Sequence, residues 1–170
     1  AAPAHRKERT QSARKRAMLD HAHQRALAMA GPSATDVQKA NLVEAAIATH
    51  ELSEFGAAYG TLDKDDHAWE YWERFCQTYG WETTFTGEFA RRCPEEITER
   101  LAIFQAWVYP HLRGRNGRAD AKPRTVFNSY VLAIIRILKR EHVPMPSAKH
   151  VERNLAGLMR AFKEVYGHEA

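Results

Sequence analysis

The stretch KPRTVFNSYVLAIIRILKR, residues 122–140, shows the sharpest division of apolar and polar positions in the chain. On a wheel at roughly 100° per residue, Val126, Phe127, Tyr130, Val131, Ile134, Ile135, Ile137 and Leu138 span half the circle. Thr125, Asn128, Ser129, Arg136 and Lys139 share the other side, with Leu132 among them. The pattern predicts a helix with a proline start, a basic finish and one buried face. The same period runs through HAWEYWERFCQTYGW. There Ala68, Trp69, Tyr71, Trp72, Phe75, Cys76 and Tyr79 fall on one side, opposite Glu70, Glu73, Arg74 and Gln77, and Gly80 ends the helix. Asp63 and Asp65 are expected at its N-terminus, where carboxylates meet the positive end of the helix dipole. CPEEITERLAIFQAWV predicts another helix, with Pro94 in its first turn and Ile97, Leu101, Phe104 and Val108 inward. Ser147 caps a last helix whose inward set is Val151, Leu155, Leu158, Phe162 and Tyr166.

The remaining segments connect or precede these helices. Thr35 or Asp36 can cap a helix running to about Tyr59. Residues 81–93 are expected as a loop, and YPHLRGRNGRADAKP as a flexible basic loop. Residues 1–34 have high helix propensity but no steady apolar face, which leaves a loosely docked helix or a disordered arm. No alternating strand pattern occurs. The expected class is all-α, a compact bundle of four to five short helices with a basic N-terminal extension. The division is a basic arm over 1–34, an additional helix over 35–60 and the main domain over 61–170.

Charge sharpens this outline. The chain carries +4 overall, as +5 over residues 1–35, −8 over 36–104 and +7 over 105–170. Basic ends around an acidic middle suit phosphates or acidic partners, or amount to a dipolar surface with no particular partner. Arg6-Lys7 and Arg14-Lys15-Arg16 have the look of a nuclear-localisation or nucleic-acid arm. No run approaches the roughly 20 apolar residues that span a bilayer, and no membrane partner is expected. Two cysteines without a CxxC spacing make neither a disulfide scaffold nor a zinc site, so an intracellular compartment is expected, the cytoplasm of a prokaryote or the nucleus of a eukaryote.

Catalytic motifs do not appear: there is no G-x-S-x-G, P-loop or G-x-G-x-x-G. His21 and His23 form an HxH pair, while His67, His142 and His150 are scattered, so no metal or other cofactor is expected. Cys76 reads as a small core residue. Trp69, Trp72, Phe75, Phe104 and Trp107 could stack on bases, but at helical spacing they read first as core. No catalytic residue is assigned, and the chain alone is not expected to be an enzyme.

The polar back of the 122–140 helix is the candidate site. Within those residues Lys122, Arg124, Arg136, Lys139 and Arg140 face no acid. Thr, Asn and Ser are poor fillers of an exposed helix but good hydrogen-bonders of phosphate oxygens and base edges. Arg113, Arg115 and Arg118 add charge from the preceding loop, next to a helix start. The plain alternative is a cationic face in solvent with no ligand.

AWEYWERFCQTYGW, ITERLAIFQAWV, KPRTVFNSYVLAIIRILKREHVPMP and VERNLAGLMRAF, in that order, resemble the N-terminal core-binding domain of tyrosine recombinases, the phage-integrase superfamily. Trp72, Phe75 and Cys76 match the first family helix and Phe104 the second. Thr125, Tyr130, Ile134 and Pro146 match the third, and Leu155, Gly157, Leu158 and Arg160 the last. The likeness covers about residues 62–166 and rests on order and spacing. It implies a SAM-like bundle forming half of a clamp around double-stranded DNA, with Arg124, Thr125, Asn128, Ser129, Arg136 and Lys139 as contacts. It also implies that strand exchange resides in a C-terminal domain beyond this chain, so neither Tyr130 nor Tyr166 is the nucleophile. The long arginine-rich loop before Thr125 and residues 1–60 depart from the plain family pattern, as in mobile-element recombinases with an added N-terminal region. The family acts as multimers, which implies a homo-oligomer on DNA. The other readings are a helical protein–protein module and a domesticated DNA-binding protein without recombinase activity.

Overall fold

The structure is a computed structural model that describes residues 12–56, 59–85, 87–112 and 123–153, together with 160 and 164. The protein is all-α, and among these residues there is no strand. It divides into two compact units, Ala1–Gly56 and Ala57–Ala170.

The first unit is a helical hairpin. Helix α1 (Ala13–Met29) starts at Ser12, whose Oγ accepts from the Lys15 N–H at 3.1 Å. Helix α2 (Asp36–Phe55) starts at Thr35, which closes a reciprocal capping box with Gln38 at 3.2 and 2.9 Å. The arm expected as loosely docked or disordered therefore holds a packed helix from residue 13. Arg14, Met18, Ala22 and Ala26 recur every fourth position and make the buried stripe of α1. Two of these four side chains are alanines and one is an arginine, so a plain wheel shows little amphipathicity although the face is buried.

At the open end of the hairpin Glu54 lies buried between Arg14, which donates to its Oε1, and His50, whose Nε2 is 3.5 Å from its Oε2. Burial works against the Glu54 charge, but the His50 contact and the Arg14 guanidinium outweigh it and hold the carboxyl at about 2, from an ordinary 4.5. A carboxyl depressed in the folded state stabilises above its unfolded pKa and loses that contribution as pH falls. Glu54 should therefore support the hairpin fully above pH 4.5 and progressively less toward pH 2. Urea midpoints followed between those limits should fall more steeply for the native chain than for Glu54→Gln. Parallel curves would remove Glu54 from the acid response.

The second unit is built on α3 (Tyr59–Thr78), α4 (Gly87–Arg92), α5 (Pro94–Leu112), α6 (Pro123–Val126), a π-helical turn (Phe127–Val131) and α7 (Leu132–Arg140). Trp69, Trp72, Phe75 and Phe104 are fully buried, so four of the five aromatics weighed as a stacking platform are core. Trp72 and Phe104 meet edge to face at 5.1 Å, and the Trp72 indole N–H donates to the Thr83 carbonyl at 2.9 Å. Cys76 is buried in the same layer, and burial pushes its thiol up to about 12. Tyr79, expected inward, is half exposed beyond the last full turn. Gly80 ends α3 at φ 69°, with the Trp81 N–H returning to the Cys76 carbonyl at 2.9 Å.

Three expectations change here. Helix α3 begins at Tyr59, so Asp65 lies inside the helix and does not cap it. Residues 87–92, expected as loop, form α4 and bury Ala90. Helix α5 carries the expected buried set Ile97, Leu101, Phe104 and Val108, then continues through Pro110 to bury Tyr109 and Leu112. A proline this near the C-terminus disturbs only the last turn, and the apolar pattern is still buried there. Beyond α7, His142 takes φ 60° and the Val143 N–H closes on the Leu138 carbonyl at 3.1 Å, the geometry a glycine usually provides. Ser147 caps the next helical segment as expected, its Oγ accepting from the His150 N–H at 3.1 Å, and Val151 is buried. Leu155, Leu158, Phe162 and Tyr166 lie outside the described residues.

Candidate nucleic-acid interface

From Pro123 to Arg140 the chain is helical throughout, with the π turn in its middle. Val126, Phe127, Tyr130, Val131, Ala133, Ile134, Ile135, Ile137 and Leu138 are buried. Arg124, Thr125, Asn128, Ser129, Arg136 and Lys139 are exposed along one side, and Leu132 is half-buried. These six candidate residues are brought together by the fold. Arg113, Arg115, Arg118 and Lys122 lie outside the described residues.

The π turn bears on how that face is set. The Leu132 N–H bonds the Phe127 carbonyl five residues back, so this turn holds one extra residue. On a plain wheel the buried residues from Val126 to Leu138 already share one half, with Ile135 at its edge beside exposed Arg124. Asn128 and Ser129 sit on this turn.

Their hydroxyls and amide behave differently from polar groups elsewhere in the protein. Thr49, Thr78 and Thr98 each donate to the carbonyl four residues back, at 2.9, 2.8 and 3.2 Å, and Ser53 to the carbonyl three back. Thr125, Asn128 and Ser129 make no side-chain hydrogen bond among the described residues. Their donors and acceptors remain available to a ligand.

The basic residues are not unopposed, as the sequence suggested within 122–140. Acids arrive from other helices. Asp65 of α3 is fully buried and bridges α7: Arg136 donates to its Oδ1 and Arg140 to its Oδ2, the latter at 2.5 Å. Arg124 pairs with Glu152 and lies over the Phe127 ring at 5.6 Å. The Arg136 side chain still exposes 43% of its surface, so its guanidinium is anchored on one edge and accessible on another. Lys139 has no ion-pair partner among the described residues.

The surface extends onto α3 and α5, through residues that sequence reasoning did not select and through Trp107, which it weighed for stacking but read first as core. The His67 ring nitrogen is 3.1 Å from the Tyr130 hydroxyl, and Tyr71 meets Tyr130 edge to face at 5.6 Å. Trp107 and His111 meet at 4.2 Å with their rings tilted by 31°, and the exposed Arg74 lies over the Tyr71 and Trp107 rings at 5.4 and 5.9 Å. His67, Tyr71 and Arg74 recur at i, i+4 and i+7 on α3, and Trp107 and His111 at i and i+4 on α5. That signal is present in the sequence but lies next to the core stripe of Trp72 and Phe75, where the two cannot be separated without depth. Among the described residues no three His, Cys, Asp or Glu side chains gather as a metal site, and no helix is long and apolar enough to cross a membrane. No protein family, curated protein or solved structure matches the chain.

Proposed function

We propose that this chain is a double-stranded DNA-binding module, the core-binding part of a site-specific tyrosine recombinase whose strand-exchange chemistry belongs to a separate domain. The observation that carries this reading is the outward set Thr125, Asn128, Ser129 and Lys139, which makes no side-chain hydrogen bond among the described residues. A rigid helix that presents such groups beside an anchored, half-exposed arginine suits phosphate oxygens and groove edges. Arg136 offers charge in a fixed orientation because Asp65 holds it. Arg74 and His111 are exposed on α3 and α5 and would widen the contact along a duplex.

Binding to duplex DNA measured at two salt concentrations tests this. With about five phosphates neutralised, the logarithm of affinity should fall against that of salt with a slope of about −4.5. Absence of binding to any duplex at low salt would rule the reading out. A slope near zero would rule out phosphate contacts.

A further inference from the structure

From the structure we infer that the outer face of α2 pairs with the same face of a second copy of this chain, independently of DNA. Five of the seven large apolar side chains that stand exposed among the described residues belong to the smaller unit: Leu27, Met29, Val37, Leu52 and Phe55. Val37 and Leu52 are 70% and 74% exposed, far beyond an ordinary half-covered surface position. The inner face of α2 is already used, with Val43, His50 and Glu54 buried against α1. On α2 the exposed apolar positions fall on the opposite side, with Ala40, Ala45 and Ala48, also exposed, between them.

The apolar core of the hairpin is small: among the described residues its buried apolar side chains are Met18, Ala22, Ala26 and Val43. Units this small commonly need an added staple, and oligomerisation is one.

The pattern on α2 is self-complementary about the middle of the helix, which is what a two-fold pair requires. An antiparallel pairing sets Val37 against Phe55 of the second copy and Leu52 against its Ala40 and Asn41. The alanines at 45 and 48 meet near the axis, where small side chains let two helices approach. Charge agrees with this arrangement. Glu44 falls opposite Ala48, and Glu51 opposite the Asn41 amide, a hydrogen-bond donor. Glu51 is already paired with Lys15 at 3.0 Å. Residues 1–56 carry eight basic and six acidic side chains, so each copy brings only a small net charge of +2 to the contact.

Sedimentation equilibrium of the whole chain, without DNA, from low micromolar to sub-millimolar concentration should show a dimer. Val37→Glu/Leu52→Glu should give a monomer of unchanged helicity, since both positions are exposed. In a Cys93→Ser background, Ala48→Cys should form an intermolecular disulfide on mild oxidation. A native chain that stays monomeric throughout overturns the inference. So does a dimer that survives the double substitution, or one that Ala48→Cys fails to trap, because either places the contact elsewhere.

Discussion

Replacing both Arg136 and Arg140 with alanine should lower the unfolding free energy of the second unit by about 3 kcal/mol. Asp65 is fully buried, and these two guanidinium groups supply its ion pairs. Removing them leaves a carboxylate in the core without compensation, the costly way to break a buried pair. The expected loss sits at the low end of the usual range because the arginines expose 43% and 21% of their side chains, so water already screens part of the attraction. Asp65→Asn should cost clearly less. It removes the buried charge, and both arginines can turn to water. Urea denaturation of the three chains measures this asymmetry. A double variant that loses less than about 1 kcal/mol, or an Asn variant that loses more than the double one, would show that Asp65 does not depend on its arginines.

The second large effect concerns DNA. Thr125→Glu/Asn128→Glu/Lys139→Glu changes the outward face by four charge units without touching a buried group. Each position is exposed, so stability should move by no more than about 0.5 kcal/mol per site. Duplex affinity at low salt should fall by about 100-fold or more, since both hydrogen-bond partners and a phosphate contact are lost and repulsion is added. A folded triple variant that binds within about two-fold of the native chain would remove this helix from the interface. Arg136→Glu, the obvious charge reversal on a wheel, is the poorer experiment. It would set a second carboxylate against buried Asp65, and lost binding could then follow from lost folding.

Much of the second unit follows from side-chain spacing. Pro94, Gly80 and Ser147 act at helix ends as local rules require, and Ile97, Leu101, Phe104 and Val108 face inward as their period dictates. These features are decided within a few residues of chain, so the chain alone reveals them. The candidate face of α6, the π turn and α7 belongs to the same class. Its buried apolar half and its exposed Thr125, Asn128, Ser129, Arg136 and Lys139 were legible from one helix. Helix α1 was less legible because its buried stripe is two alanines, an arginine and one methionine, which carries little hydrophobic contrast.

What the sequence determined by itself is therefore the helical class and the identity of the polar face, since both rest on periodicity and on neighbours three or four residues away. Only the tertiary structure decided what opposes that face. Asp65 is 71 residues from Arg136 and Glu152 is 28 from Arg124, so their pairing depends on how helices pack and cannot be read from any window of sequence.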